Sequence, residues 1–305
     1  MIGYAVRRLL GAIPTLFILL TLAFALIRTA PGGPFDLEKQ LPPEIEANLQ
    51  AKYHLDEPLY QQYGRYLWDV ARFDFGPSFQ YRDLTVNQLI ADGFPVSLRL
   101  GAFSLLFALM FGVPAGLMAA FRQNRPTDYG LMTLAMLGIS IPNFVLAPLL
   151  ILLMAVYNDW LPAGGLGSPL HYVIPVIALG TAMMAYVARL TRGAMIEVLR
   201  SNYVRTARAK GLPTRVILFR HALPAALTPV VSFMGPAAAG IITGSVVIET
   251  IFGIPGLGRF FVQGALNRDY TLVMGVVLFY GMLIIVFNLL VDLLYAWLDP
   301  RVAYK

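Results

Sequence analysis

Six long stretches of the 305-residue chain contain no Asp, Glu, Lys or Arg, and each is long enough to cross a lipid bilayer as a helix. The shortest of them reaches roughly 28 Å at about 1.5 Å per residue, which is close to the thickness of a bilayer core. The pattern therefore predicts an all-α membrane protein with six transmembrane helices. The uncharged stretches are residues 9–27, 100–121, 129–158, 160–188, 222–248 and 270–291.

The two longest stretches contain helix-breaking residues, so the predicted helices fill only parts of them. Pro142 and Pro148 interrupt the third stretch, and a Gly-rich turn at 163–169 opens the fourth. We expect helices over 131–156 and 172–188. The first stretch follows Arg7 and Arg8 but is longer than a signal peptide's apolar region, so we interpret it as an uncleaved helix.

Composition and charge support this assignment and orient the chain. Hydrophobic residues make up 58% of the sequence and charged residues 13%, with a mean hydropathy of +0.67. The net charge of +6 would suggest nucleic acid as a partner in a soluble protein. However, the N-terminus, the 122–128 and 189–221 loops and the C-terminal tail together hold 14 of the 23 basic residues. The positive-inside rule then places those segments and both termini in the cytoplasm, and no nucleic acid partner is expected.

Topology also predicts the domain organisation. Residues 1–28 form the N-terminal transmembrane helix, 29–99 an extracytoplasmic domain, and 100–305 a five-helix core that carries the 189–221 loop. An amphipathic helix is expected after Asp56-Glu57-Pro58 in the second segment. Two interpretations of this ectodomain stay open, since it either packs on the membrane surface or contacts a partner outside.

Several kinds of chemistry are missing from the sequence. The chain has no Cys, no Gly-x-x-x-x-Gly-Lys-Ser/Thr phosphate loop, no His-Glu-x-x-His pair and no Gly-x-Ser-x-Gly turn. We therefore expect no catalytic residue, metal site or cofactor. The predicted spans are almost free of ionisable side chains, which disfavours an ion-coupled carrier. A partner is expected to supply the energy for any transport.

The 189–221 loop has an ordered pattern that goes beyond its eight basic residues. A short helix is predicted to run up to Lys210, Gly211 ends it, and Pro213 suits the first turn of a second helix. A plain positive-inside anchor and a structured elbow that contacts a partner are the two interpretations.

At this elbow the sequence resembles the integral membrane subunits of binding-protein-dependent ABC importers. Their cytoplasmic hallmark is Glu-Ala-Ala, three residues, Gly, nine residues and Ile-x-Leu-Pro. Ala207, Gly211, Leu223 and Pro224 match this motif, whereas Arg205, Thr206 and His221 depart from it. The departing version resembles the peptide and nickel branch of the family.

Further motifs extend the resemblance over nearly the whole chain, which is similar to the B-type permease subunit of a bacterial oligopeptide importer. The motifs are the opening segment 1–34, Phe73-Asp74-Phe75-Gly76-Pro77-Ser78, Phe94-Pro95-Val96-Ser97-Leu98 and the segment 249–258. Importers of dipeptides, nickel or glutathione remain close alternatives.

The resemblance implies a type I importer permease (MetI-like) core in the bacterial inner membrane. It implies a second, C-type permease subunit, two cytoplasmic ATPases, and an extracytoplasmic binding protein that delivers the peptide. The elbow would then be the ATPase-coupling loop. Its residues are Arg205, Thr206, Ala207, Arg208, Ala209, Lys210, Gly211, Leu212 and Pro213.

Small and polar residues of the fifth span, together with Glu249 at the start of the outer loop that follows this span, are the candidates for the transport pathway or a gate. They are Ser232, Gly240, Gly244, Ser245 and Glu249. Tight helix packing through Gly240-x-x-x-Gly244 is the alternative, and the same holds for Gly112-x-x-x-Gly116. A capped surface loop is the alternative for Glu249. Two rival classes also stay open, a stand-alone channel or carrier and an intramembrane enzyme.

Overall fold

A computed structural model describes residues 2–29, 54–81 and 83–298 of the chain. Several sequence-based predictions lie outside the described residues. These are the part of the ectodomain at 30–53 together with Arg82, and the C-terminal tail at 299–305 with its predicted cytoplasmic location.

The described residues are mostly helical and contain no β-strand, which confirms the all-α prediction. The described residues form twelve α-helices, here numbered in chain order. The first six are α1 (Ile2–Thr29), α2 (Leu59–Ala71), α3 (Val86–Phe121), α4 (Pro126–Ser140), α5 (Asn143–Ile151) and α6 (Val173–Leu199). The other six are α7 (Asn202–Ala209), α8 (Thr214–Val216), α9 (Leu223–Gly244), α10 (Val246–Ile251), α11 (Leu257–Leu266) and α12 (Tyr270–Leu298).

Five helical stretches among the described residues are long and apolar enough to cross a membrane. They are Leu10–Thr29, Val86–Phe121, Pro169–Leu199, Thr214–Ile251 and Tyr270–Val291. A sixth results if α4 and the bent helix that follows it count as one span. The number of membrane crossings thus stays a prediction.

The predicted continuous helix over 131–156 is wrong, because the chain bends by 101° between α4 and α5. Ile141 is extended, with ψ of 114°, and Pro142 caps the start of α5. A residue before proline is disfavoured in the α conformation, so the helix ends there. Pro148, in contrast, lies inside α5, which continues as a π-helical turn over Leu152–Tyr157.

The described chain forms two compact units. One consists of Leu98–Ile254 and residues 286–298, and the other of Ile2–Ser97 and Pro255–Ile285. The predicted division at 28/29 and 99/100 concerns membrane topology, which is a different property, and it stays a prediction.

In the first unit, α6 is the central helix, and α4, α5 and α9 pack against it. Glycines allow the neighbouring helix α3 to approach α6 closely. A Cβ placed on Gly112 would lie 2.6 Å from the Met184 carbonyl oxygen, and one on Gly116 would lie 2.7 Å from Thr191 Cβ. The packing interpretation of Gly112-x-x-x-Gly116 is therefore confirmed.

The second unit has an apolar core and one buried polar contact. Val86, Leu257, Leu272 and Val276 belong to the core. Ser78 Oγ donates to Asp269 Oδ2 at 2.5 Å, and both residues are buried. This contact ties the segment after α2 to the segment before α12.

Candidate functional site

The elbow predicted from the sequence is built on the short amphipathic helix α7. Val204 and Ala207 are buried on one face of α7, where they form a cluster with Ile217 and the half-buried Val198. This cluster fixes how α7 lies against the end of α6 and the segment after Pro213. The small side chain of Ala207 packs inside this cluster.

Gly211 ends α7 in a Schellman motif, as the sequence predicted. Its φ of +74° is left-handed. The Gly211 N–H donates to the Arg208 carbonyl at 3.0 Å, and the Leu212 N–H donates to the Ala207 carbonyl at 3.2 Å. These two bonds pair carbonyl groups that a helix end otherwise leaves unpaired. A Cβ on Gly211 would have no atom within 4 Å, so its backbone conformation is the reason for glycine.

The surface of the elbow is exposed and basic. Ala207 is the buried member of the nine predicted coupling residues; the others are exposed, namely Arg205, Thr206, Arg208, Ala209, Lys210, Gly211, Leu212 and Pro213. Among the described residues, none of the three basic side chains of this set forms an ion pair within 4 Å. The elbow thus presents polar and cationic groups on a structured backbone.

Pro213 connects the elbow directly to the next long helical stretch. It stands immediately before α8 with a φ of −65° and ψ of 143°, one position earlier than the predicted first turn. The helix continues from Thr214 through a π-helical segment, Ile217–Ala222, into α9. The elbow is therefore joined to α9 by helical residues from Thr214 onward.

The predicted pathway residues lie in three different environments. Ser232 is half-buried, and its hydroxyl donates to the Thr228 carbonyl at 3.0 Å. Gly240 is exposed, and a Cβ placed there would have no atom within 4 Å. Gly240 therefore makes no close helix contact within the described chain. Gly244 is the last residue of α9, and its surroundings lie outside the described residues.

Ser245 and Glu249 form a buried pair on neighbouring turns. Ser245 Oγ donates to Glu249 Oε1 at 2.5 Å, and both side chains are 0% exposed. The sequence placed Glu249 at the start of an outer loop, but α10 carries the helical stretch on to Ile251. Gly253 then ends α10 with a φ of +63°. Glu249 consequently lies in the helical stretch, inside the first unit.

Sequence reasoning missed another buried carboxylate, that of Asp128. It is 1% exposed and accepts two hydrogen bonds from Arg192, one from Nε at 2.6 Å and one from Nη2 at 2.7 Å. The N–H of Asn124 donates to the same carboxylate at 2.9 Å. This clamp joins the start of α4 to α6 about two turns before the end of α6. The one available signal was a single acid in a loop with Arg122 and Arg125.

Comparison with protein families gives two adjoining matches. Residues 112–304 match the family described as binding-protein-dependent transport system inner membrane component. Residues 1–101 match the N-terminal region of such a membrane component.

Individual relatives match over the full length of both chains. The oligopeptide transport system permease protein OppB of Salmonella typhimurium is 56% identical, and that of Haemophilus influenzae is 53% identical. The dipeptide transport system permease protein DppB of Bacillus subtilis is 46% identical over 99% of this chain and 98% of its own. The resemblance to the oligopeptide branch that the sequence indicated is thus confirmed.

Solved structures agree in fold. An inward-facing structure of the MetNI methionine ABC transporter superimposes with a TM-score of 0.60 at 18% identity, over 70% of this chain and 97% of that chain. The predicted MetI-like core is confirmed by this fold match.

Proposed function

The chain belongs to the inner membrane components of binding-protein-dependent transport systems, and on this basis we propose that it is the permease subunit of an ATP-driven oligopeptide importer. The observation that carries the substrate is the 56% identity to an oligopeptide permease over the full length of both chains. The relative named for dipeptide transport is less similar, at 46%, and one named for glutathione transport is 40% identical.

In this proposal the chain forms half of a translocation pathway with a second permease subunit. Two cytoplasmic ATPases bind and hydrolyse ATP, and an extracytoplasmic binding protein delivers the peptide. The chain supplies no catalytic group of its own, and its work is to change conformation.

The elbow at 205–213 is proposed to be the contact with an ATPase. Two observations support this proposal. The elbow exposes cationic side chains, and the buried residues Val204 and Ala207 hold its helix against the rest of the chain. A rigid element transmits motion, whereas a solvated loop absorbs it. A partner can drive a two-state protein only through contacts that differ between the two states. The elbow therefore has to keep a defined geometry in each state.

The exposed face of α9 around Gly240 is proposed to face the second permease or the pathway. A Cβ placed on Gly240 would meet no atom of another element within 4 Å in the described chain, and small residues allow either a helix or a peptide backbone to come close. Ser232 adds a hydroxyl on the same helix, and the buried Ser245–Glu249 pair fixes the helical stretch at its end.

Growth on defined peptides tests the proposed substrate. A strain that lacks the chain and needs an external amino acid should fail to use a tripeptide that contains it, and the restored chain should rescue growth. Rescue on the free amino acid is the control for viability. If the restored chain instead rescued only dipeptide, glutathione or nickel uptake, the assignment to oligopeptides would be wrong.

A further inference from the structure

A cavity of about 360 Å³ lies in the unit formed by Ile2–Ser97 and Pro255–Ile285. Its walls come from the end of α1, from α2, from the segment between α2 and α3, and from the start of α12. The residues that matter here are Phe24, Arg28, Gln62, Tyr66, Asp69 and Asp74. The coupling elbow and the pathway residues do not line it.

Three buried polar atoms at this cavity have no hydrogen-bond partner in the described part of the chain. They are Arg28 Nε, Gln62 Oε1 and the Tyr66 hydroxyl. Gln62 is 8% exposed, and its Nε2 donates to the carbonyls of Leu55 at 3.1 Å and Glu57 at 2.6 Å, so its orientation is fixed. Buried polar groups are nearly always paired. Three unpaired ones around one cavity indicate a polar occupant.

The charges around the cavity define what that occupant carries. Glu57 Oε1 pairs with Arg65 at 2.6 Å and contacts His54 at 3.2 Å. Glu57 does not line the cavity, and its Oε2 is buried without a hydrogen-bond partner in the described part of the chain. Arg28 is positioned by aromatic rings, with its guanidinium 5.5 Å from the Phe24 ring centroid. Asp69 and Asp74 contribute two carboxylates, and neither forms an ion pair among the described residues. Asp74 Oδ1 accepts a hydrogen bond from the Gly76 N–H at 2.9 Å. A ligand with both an anionic and a cationic group complements this set.

The position of the cavity identifies the class of ligand. Arg28 lies in the last turn of the candidate span Leu10–Thr29, and Thr271 lies in the first turn of the candidate span Tyr270–Val291. Arginine and aromatic side chains at the ends of spans lie where lipid headgroups are. Leu22 and Leu26 continue along α1 as exposed apolar side chains, next to which acyl chains can lie.

We propose that this cavity binds the headgroup of a phospholipid that carries a primary amine, of the phosphatidylethanolamine class. The phosphate pairs with Arg28 and accepts from the Tyr66 hydroxyl, while the ammonium group donates to Asp69, Asp74 and Gln62 Oε1. Burial raises the pKa of Tyr66, so its hydroxyl stays protonated and able to donate. The inference concerns the fold of this unit and holds whatever the chain transports.

Native mass spectrometry of the full-length chain, delipidated in detergent and titrated with defined lipids, tests the proposal. Phosphatidylethanolamine should bind about fivefold tighter than phosphatidylcholine, whose trimethylated nitrogen has no N–H, and about fivefold tighter than phosphatidylglycerol, which has no amine. Equal binding of the three lipids would overturn the proposal. So would displacement of the bound phosphatidylethanolamine by a tripeptide, since the cavity would then be a peptide site.

Variants locate the lipid. Arg28→Gln should weaken phosphatidylethanolamine binding about fivefold. Tyr66→Phe, which removes one oxygen, should also weaken this binding and is the second variant in case Arg28→Gln fails to fold. Joint Asp69→Asn and Asp74→Asn changes should remove the preference over phosphatidylcholine. Arg72→Gln is the matched control, because Arg72 lies over the Trp68 ring at 4.4 Å and does not line the cavity. Wild-type lipid selectivity in all the cavity variants would refute the assignment.

Discussion

Several helices of this chain end at a residue with a left-handed backbone conformation, and the type of that residue determines which substitutions the helix end tolerates. Gly211 and Gly253 adopt positive φ without a side chain, whereas Phe73 and Arg268 do so as non-glycine residues with φ of 59° and 57°. A left-handed L-residue costs roughly 1–2 kcal/mol. The glycine at 211 was predictable from the helix that precedes it, whereas nothing in the local sequence distinguishes Phe73.

Replacing Gly211 by Val should abolish peptide transport while the protein still inserts in the membrane. A β-branched residue tolerates φ of +74° poorly, so the last turn of α7 and the exposed surface after it are distorted. The assembled importer should lose peptide-stimulated ATP hydrolysis or release its ATPases, and the binding protein should keep its peptide affinity.

Gly211→Asn is the matched control, since asparagine is accepted at left-handed helix caps. It should retain most of the activity, because the change affects the side chain and leaves the cap intact. Gly211→Val protein that is present at normal abundance and transports with wild-type ATP coupling would show that the elbow does not transmit ATPase motion.

The clamp between Asp128 and Arg192 is the second feature at the residue scale. Arg192→Gln leaves a buried carboxylate without its cation. Thermal unfolding in detergent should therefore show a lower melting temperature, which corresponds to a loss of about 3 kcal/mol in the free energy of unfolding. Arg200→Gln is the control, because Arg200 makes one exposed hydrogen bond, at 3.2 Å to Gln123. Equal melting temperatures for the two variants would show that the clamp contributes nothing to stability.

At the scale of elements, uncharged runs predicted where the long helices lie, but not how they bend or what they bury. The bend at Pro142 follows from a breaker visible in the sequence, and the error was to draw one helix through it. The Asp128–Arg192 clamp joins residues 64 positions apart, so no local pattern reports it. Ser245 and Glu249 are four residues apart, so their side chains meet on a helix. The sequence predicts this contact only if the helical stretch is known to continue to Ile251.

Glycines on the helices give a prediction at this scale with opposite outcomes for two similar changes. Gly116→Ala should destabilise the protein, because the added Cβ would lie 2.7 Å from Thr191 Cβ and force α3 away from α6. Gly193→Ala, on α6 with no atom within 4 Å of its Cβ, should be tolerated. Thermal unfolding of the two variants in detergent compares them, and an equal effect would contradict the close packing of α3 on α6.

At the scale of the whole molecule, the family and the fold were predictable because their motifs occur in order along the chain. The number of membrane crossings was less predictable from the sequence. The described helices give five candidate spans, or six if α4 and the bent helix after it form one span. The orientation rests on the distribution of basic residues, with eight of them in the 189–221 loop.

Single cysteines test this orientation, because the chain contains none of its own. A membrane-impermeant thiol reagent should label Tyr60→Cys in intact cells and leave Arg208→Cys unlabelled until the cells are lysed. Both positions are exposed in the structure, so burial does not explain a difference between them. Labelling of position 208 before lysis would reverse the assigned orientation.

Uptake of a labelled tripeptide into proteoliposomes tests whether the chain imports oligopeptides as a permease that separate ATPases drive. Vesicles that contain this chain, the second permease and both ATPases should accumulate tripeptide only when ATP is present on the ATPase side and the loaded binding protein on the other. Vesicles with this chain alone should take up none. ATP-independent uptake by the chain alone would instead identify a stand-alone channel or carrier.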